Sequence, residues 1–77
     1  HFAKAFWGGG LASEAVQIVT KFGMEELGLS RIQGMVMVDN QASVRVLEKN
    51  GYIKEGVLHH YPFGREFHDV VMLAKLR

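Results

Sequence analysis

The sequence has 77 residues and no cysteine, and nine Lys and Arg residues against eight Asp and Glu give a net charge of +1. This length allows a single small domain, and the absence of cysteine excludes disulfides and Cys-ligated zinc. The balanced charge argues against a nucleic-acid partner. No apolar run approaches the roughly 20 residues of a membrane span. Because nothing at the start is typical of a signal peptide, we expect a cytoplasmic protein without a membrane partner.

The N-terminal part predicts one long helix after a glycine-rich turn. Residues 2–7 are rich in aromatic side chains but show no clear periodicity, and residues 8–10 are three consecutive glycines. From Leu11 onwards apolar residues recur every three or four positions, which predicts an amphipathic helix over about residues 10–27 that ends at Gly28. The residues predicted to face the core are Leu11, Ala15, Val19 and Phe22, with Ala12, Val16 and Leu27 beside them.

A buried strand and a second helix follow. Residues 31–38 include an unbroken apolar run, which is typical of a strand buried on both faces in a parallel or mixed sheet. Asp39 and Asn40 supply an N-cap for a helix over about residues 41–50, and Gly51 ends it. The four methionines of the chain are more typical of core packing than of a cofactor site.

The C-terminal part predicts a β-hairpin. Segments 52–61 and 66–76 are rich in strand-forming residues, and the turn residues at 62–65 join them. The predicted order is therefore helix, strand, helix, strand, strand (α-β-α-β-β), in a mixed sheet of the α/β (α+β) class. Residues 1–7 are too short and irregular to predict a strand. The β-α-β unit expected around the first helix therefore lacks its first strand.

The three glycines before the first helix are the most informative chemical feature. Unpaired backbone amides at a helix N-terminus lie at the positive end of the helix dipole and can hold a phosphate, and glycine lets the anion come close. The dinucleotide-binding pattern fails because Ser13 occupies the position of its third glycine. The Walker pattern fails because no Gly-Lys-Ser/Thr follows. A tight connection that binds no ligand is the alternative interpretation of this segment.

Two segments of the sequence, one at the glycines and one in the second helix, resemble motifs of a known family. Residues 7–15, Trp-Gly-Gly-Gly-Leu-Ala-Ser-Glu-Ala, resemble the acyl-CoA pyrophosphate loop of the GNAT N-acetyltransferase superfamily. More narrowly, they resemble the RimJ/RimL-like branch, which includes the ribosomal-protein alanine acetyltransferases. Residues 40–52, Asn-x-x-Ser-x-Arg-Val-Leu-Glu-Lys-x-Gly-Tyr, are similar to the second motif of that branch. Residues 55–58 and 69–73 give a weaker third match, so that the resemblance covers residues 6–77.

The resemblance implies acetyl-CoA as cosubstrate, no metal, and an amine as acceptor, either a protein N-terminal α-amine or a small amine. It assigns Asn40 to the pantetheine arm and places Trp7 where the family usually has Gln or Arg. Leu47 stands where many relatives have a tyrosine that protonates the leaving thiolate. In the matching branch a serine at the position of Ser43 is suggested for that step, so the resemblance implies Ser43 as the candidate catalytic residue. The residues whose backbone amides the resemblance assigns to the CoA pyrophosphate are Gly8, Gly9, Gly10, Leu11, Ala12 and Ser13.

Several of these side chains have a purely structural interpretation as well. Asn40 and Ser43 can serve only to satisfy backbone groups in the first turn of the second helix. His59 and His60, near the hairpin turn, are candidates for the base that accepts the amine proton, or they are inert exposed side chains. A metal cluster built from the hairpin histidines is disfavoured, because adjacent residues on a strand point to opposite faces and the spacing matches no zinc motif.

The resemblance further implies that much of the family's fold lies outside this sequence. In that family the acyl group enters a gap between two parallel strands, of which residues 31–38 are the second, and the first is expected to be absent. One hypothesis is therefore the C-terminal half of a GNAT enzyme. The other is a non-catalytic module that binds CoA or phosphate, or that pairs through an open strand edge. A homo-oligomer that completes the sheet fits either hypothesis, and residues around Phe63 are expected to contact the acceptor.

Overall fold

The computed structural model of the chain describes residues 1–8 and 10–77. The elements in chain order are β1 (Phe2–Phe6), α1 (Ser13–Lys21), a π-helical turn (Phe22–Glu26), β2 (Arg31–Met37), α2 (Gln41–Lys49), β3 (Ile53–Phe63) and β4 (Glu66–Leu76). The strands form one mixed sheet in the order β1-β2-β4-β3. β1 and β2 are parallel, and the other neighbouring strands are antiparallel. In this part of the chain no helix is long and apolar enough to cross a membrane.

The first strand corrects the predicted element order. Phe2–Phe6 forms β1, which pairs in parallel with β2 along its whole length. Beyond its end the Trp7 N–H donates to the Met35 carbonyl at 3.0 Å. The prediction that this strand is absent, with the order α-β-α-β-β, is therefore wrong, and the order is β-α-β-α-β-β. The sequence pattern failed here because alanine and lysine have low strand propensity, and the pairing that stabilises the strand comes from distant residues.

Both helices pack on the same face of the sheet. Residues of α1 and α2 share one buried apolar cluster with residues of the central strands β2 and β4. The cluster consists of Val16, Val44, Leu47, Ile32, Val36, Tyr52, Val71 and Leu73. The prediction that the apolar run of β2 is buried on both faces is confirmed: Met35 and Val36, which point to opposite faces, are 4% and 0% exposed.

The first helix is shorter than predicted, and a different side of it faces the core. The α-helix spans Ser13–Lys21 and continues as the π-helical turn, after which Gly28 adopts the left-handed conformation at φ +64°. Val19 and Phe22, predicted to face the core, are 44% and 54% exposed. The buried positions of the segment are Val16, Thr20 and Gly23.

Two contacts explain which side of α1 faces the sheet. The hydroxyls of Thr20 and Tyr52 share a buried hydrogen bond of 2.7 Å, and burial raises the pKa of Tyr52 above its ordinary value although this bond opposes the shift. A Cβ at Gly23 would lie 3.0 Å from methyl carbons of both Leu29 and Ile32. A polar residue and a glycine therefore face the sheet, which a pattern of apolar side chains does not predict.

The remaining elements agree closely with the sequence. α2 spans Gln41–Lys49 and is followed by Gly51 at φ +91°. β4 has the predicted bounds, and β3 continues to Phe63, so the hairpin turn is formed by Gly64 and Arg65. Within the hairpin the register shifts twice along β3, where the strand bulges.

Candidate functional site

A cleft opens at the carboxyl ends of the two parallel strands. Because β1 and β2 run in the same direction, they end at the same edge of the sheet, and the helices that follow them begin there. The cleft has a volume of about 220 Å³. The residues that line it are Phe6, Trp7, Gly8, Met37, Asp39, Asn40 and Phe63. The cleft thus lies at the ends of β1 and β2, and its lining includes the first residue of the glycine-rich segment.

The glycine-rich segment leads to a helix start that has no side-chain cap. α1 begins at Ser13, and its N-cap residue Ala12 makes no side-chain capping hydrogen bond. Apart from the glycine itself and its chain neighbours, no atom of the described residues lies within 4 Å of the position that a Cβ would take at Gly8 or at Gly10. Open space beside the backbone and an uncapped helix N-terminus both fit an anionic group such as a pyrophosphate. The predicted site residue Gly9 lies outside the described residues.

Trp7 anchors the beginning of this segment to the helix face of the sheet. A Cβ at Gly34 would lie 3.0 Å from Trp7 Nε1 and 3.2 Å from Leu47 Cδ1, so the two side chains meet above this glycine. Trp7 Nε1 is buried and has no hydrogen-bond partner among the described residues. Leu11 packs against the edge of the same core. The side chain of Leu11 is therefore structural, and only its backbone fits the predicted contact with the pyrophosphate.

The start of α2 joins the same cleft. Asn40 lines the cleft, and its Oδ1 accepts a hydrogen bond of 3.4 Å from the Ser43 N–H. Both predicted roles of Asn40, capping the helix and facing the ligand, are therefore compatible with one position. Ser43 is 1% exposed in the first turn of α2, and the cleft lining includes Asn40 but not Ser43. A catalytic role of Ser43 stays a prediction.

The hairpin histidines are organised around a carboxylate rather than around the cleft. Asp69 accepts a hydrogen bond of 2.9 Å from the His60 N–H and lies 3.2 Å from His59 Nδ1. These two contacts hold the pKa of Asp69 below its ordinary value, and the bond from the His60 backbone has the larger effect. The His60 ring stacks on Phe67 at 4.2 Å. Neither histidine lines the cleft, and residues 1–8 and 10–77 contain no group of three or more potential metal ligands.

An aromatic cluster closes one side of the cleft, and the sequence singled out only the region around Phe63 among its members. The ring of Phe6, at the end of β1, lies 4.4 Å from that of Phe63 and 5.7 Å from that of Tyr61. The tip of the hairpin therefore folds back over the end of β1. Phe6 escaped notice because no strand was predicted there, although its position just before the glycines was the available signal.

Comparison with protein families and curated proteins gives consistent matches. The sequence model of the acetyltransferase (GNAT) domain matches residues 1–53. The uncharacterized N-acetyltransferase YoaA of Bacillus subtilis is 49% identical over 57 residues, which are 74% of this chain and 32% of that protein. The uncharacterized N-acetyltransferase p20 of Bacillus licheniformis is 38% identical over 72 residues, 92% of this chain and 40% of that protein. The chain thus spans between 32% and 40% of the length of these two relatives.

Solved structures match the same region. A GNAT-family acetyltransferase from Bacillus anthracis has a TM-score of 0.73 and 40% identity over 87% of this chain and 41% of its own. Ribosomal-protein-S5-alanine acetyltransferase from Vibrio fischeri has a TM-score of 0.75 and 26% identity over 90% and 38%. A chimera of the spermidine N-acetyltransferase SpeG from Vibrio cholerae has a TM-score of 0.76 and 26% identity over 87% and 42%.

Proposed function

The chain belongs to the acetyltransferase (GNAT) domain family, and from this premise we propose that it supplies the acetyl-CoA-binding part of an N-acetyltransferase. One observation carries the proposal. A cleft at the ends of the parallel strands β1 and β2 directly adjoins a glycine-rich segment and a helix start without a side-chain cap. Backbone amides at such a helix start bind phosphate groups, and the cleft is the place where an acyl group would meet an amine.

The backbone amides of residues 8–13 bind the pyrophosphate of acetyl-CoA in this proposal. The open space at Gly8 and Gly10 supports it, because a pyrophosphate can approach the backbone there without meeting a side chain. The pantetheine arm then extends towards Asn40, whose side chain lines the cleft. The thioester is thereby delivered between the carboxyl ends of β1 and β2. Acetyl-CoA acts here as a substrate, and no metal is part of the proposal.

The reaction is direct acetyl transfer from sulfur to nitrogen. A neutral amine attacks the acetyl carbonyl, the C–N bond forms and the C–S bond breaks. The nitrogen gives up a proton to water, and the CoA thiolate leaves and takes up a proton. An α-amine, with a pKa of about 7.7–8.0, is neutral near pH 7 far more often than a lysine amine with a pKa of about 10.4. Ser43 is the candidate proton donor to the thiolate, supported by its place in the first turn of α2 next to Asn40. We assign no base to His59 or His60, since neither lines the cleft.

The acceptor is a protein N-terminal α-amine or a small amine. Two structural neighbours support these classes by name, one for an alanine of a ribosomal protein and one for spermidine. The cleft itself offers aromatic and aliphatic walls at Phe6, Met37 and Phe63, and a carboxylate at Asp39. An ammonium group with an apolar neighbour fits this lining, because the carboxylate attracts the charge and the rings cover the apolar part.

The sheet extends beyond β1 in this proposal. Among the described strands, β1 is an edge strand with β2 as its one neighbour. The matched relatives are longer than this chain, which covers 40% of one of them. We propose that further strands of a longer protein, or a second copy in a homo-oligomer, pair with this edge, since exposed strand edges readily accept another strand.

The proposal is tested by binding and turnover with the same preparation. Isothermal titration calorimetry with acetyl-CoA and with CoA measures binding, and a thiol-release assay with a peptide that has a free α-amine, and with spermidine, measures transfer. The same peptide with a blocked N-terminus is the matched control. We expect binding of both CoA compounds and acetylation of one free amine. No binding at millimolar ligand would contradict the proposal, and binding without transfer to any amine would support the non-catalytic module instead.

A further inference from the structure

Two residues on either side of the three glycines, Trp7 and Ser13, lie next to one helix, α2. The Trp7 ring lies beside Leu47 of α2, above Gly34. Ser13, the first residue of α1, accepts a hydrogen bond of 3.1 Å at its Oγ from Asn50 Nδ2. Asn50 is the C-cap residue of α2. Trp7 and Ser13, which flank the glycines that the proposed function assigns to the pyrophosphate, therefore lie next to residues of the second sequence motif.

The Asn50 side chain is itself held in place. Its Nδ2 also donates to the Val46 carbonyl at 2.9 Å, one helical turn back. The backbone around it is fixed, since the N–H groups of both Asn50 and Tyr52 donate to the Leu47 carbonyl at 3.0 and 3.1 Å. A primary amide carries two N–H donors. One of them can orient the side chain on its own helix while the other reaches across to α1.

The Ser13 contact explains how an uncapped helix start keeps its position. Serine at a helix start commonly turns its hydroxyl to its own backbone amides. Here the Ser13 hydroxyl accepts from Asn50 on a neighbouring helix, and the preceding residue, Ala12, supplies no side-chain cap. The first turn of α1 is thus tied down by a contact that does not occupy the backbone amides needed for an anion.

We propose that Asn50 is a positioning residue for acetyl-CoA. It acts through Ser13 to hold the start of α1, and with it the glycine-rich segment, where the backbone amides meet the pyrophosphate. This inference rests on the proposed function, because it concerns the same site. Asn50 itself does not touch the ligand, so its removal weakens acetyl-CoA binding through the position of α1.

The test compares Asn50→Ala, Ser13→Ala and the double variant with the parent chain. One hydrogen bond of ordinary strength corresponds to a factor of about three to ten in an equilibrium constant. Because the contact is also present without the ligand, this factor is the upper limit for the rise in the Kd for acetyl-CoA. We expect a rise within this limit in each single variant and no further rise in the double variant, because both substitutions remove the same contact. In turnover the effect is expected in the KM for acetyl-CoA, with kcat retained for Asn50→Ala.

A purely structural role of Asn50 gives a different result. Asn50→Ala would then lower the melting temperature through loss of the Val46 contact, while Ser13→Ala would leave the Kd for acetyl-CoA unchanged. That pattern overturns the inference and leaves the proposed function intact. If Asn50→Ala does not fold, Ser13→Ala decides alone, because it removes the contact to α1 and keeps the one to Val46. If the parent chain binds no acetyl-CoA, the proposed function and this inference both fail.

Discussion

The two helices of this chain begin at the same edge of the sheet but in different ways. At the start of α2, Asn40 closes the first turn by accepting a hydrogen bond from the Ser43 N–H. At the start of α1 the corresponding residue is Ala12, which has no side chain to do so. Both helices follow neighbouring parallel strands, so their positions relative to the sheet do not explain why only one of them is capped. The chain thus caps α2 with one of its own side chains and leaves the start of α1 without a side-chain cap, where we propose that the pyrophosphate binds.

The open start of α1 is compensated along the body of the helix. A missing N-cap costs a helix about 1 kcal/mol. α1 offsets this by burying Val16 completely and through the hydrogen bond between Thr20 and Tyr52. These contacts stabilise the body of α1 independently of its first turn. In the proposed function the first turn serves binding, and substitutions in the first turn and in the helix body test whether stability and binding are separate.

The largest effect is expected from Ala12→Asp, which gives α1 the cap that it lacks. Ala12 has φ −91° and ψ 138°, the extended conformation typical of N-cap residues. The new carboxylate should stabilise the fold by about 0.5–2 kcal/mol. It should also weaken acetyl-CoA binding by roughly ten- to a hundredfold, because two like charges about 4 Å apart near a protein surface repel by up to about 4 kcal/mol. Urea unfolding and calorimetry measure the two effects.

Ala12→Ser is the matched control for this variant. Serine caps the helix without a charge, so it should stabilise the fold similarly and weaken acetyl-CoA binding less than aspartate does. High salt should recover part of the affinity of the aspartate variant and little of that of the serine variant. An aspartate variant that binds acetyl-CoA as tightly as the parent chain would show that the start of α1 is not the anion site.

The next largest effect is expected from Tyr52→Phe, which tests how the body of α1 is held. The substitution leaves the Thr20 hydroxyl, in a residue only 8% exposed, without its Tyr52 partner. A buried polar group without a partner costs about 1–3 kcal/mol, which should appear as a lower urea midpoint. Thr20→Val removes the other partner, and the double variant should be more stable than the sum of the single effects predicts. Strictly additive losses would mean that the hydrogen bond contributes nothing.

The same region shows why the sequence predicts only part of this fold. α2 and β4 were predictable from local signals: Asn40 and Gly51 bound the helix, and strand-forming residues follow the turn at residues 62–65. The inward face of α1 was not, because Thr20 is buried through its partner Tyr52, which lies far away in the sequence. β1 was missed for a similar reason, since its weak strand formers are stabilised by pairing with β2.

The candidate site was predictable as a segment but not as a cavity. Glycines before a helix, and Asn40 after a buried strand, marked the two helix starts that the structure brings to one edge. The contact between Phe6 and Phe63 could not be predicted from the sequence, because it depends on how far the hairpin folds back towards β1. The Asn50–Ser13 contact joins two motifs that the sequence shows only as separate segments.

A smaller effect is expected from Asn40→Ala, which makes the start of α2 resemble that of α1. The capping bond is long, at 3.4 Å, so its loss should cost about 0.5–1 kcal/mol, the low end of the range for N-caps. Urea unfolding measures this loss, and Asn40→Ser, which retains a capping oxygen, is the control. If both variants lose equal stability, the side chain of Asn40 matters through its contacts in the cleft and not as a cap.

The smallest effect concerns Asp69, the carboxylate that accepts from a backbone N–H in the hairpin. Hydrogen bonds from the His60 N–H and then from His59 lower the pKa of Asp69 in the folded chain. The unfolded chain therefore binds this proton more readily, at a pKa of about 3.9. The stabilisation is present above that pH and is lost as the pH falls through the folded pKa. The melting temperature of Asp69→Asn should accordingly lie below that of the parent at pH 7, and the gap should narrow in acid.

Asp69→Asn also tests whether acetyl-CoA binding depends on the hairpin. Asp69 does not line the cleft, and its partners His59 and His60 belong to the hairpin. Asp69→Asn should therefore leave the Kd for acetyl-CoA unchanged at pH 7, although it lowers the melting temperature. A clear loss of affinity would mean that the hairpin bulge controls the position of Phe63, and through Phe6 the end of β1. Binding would then depend on the hairpin as well as on the two helix starts.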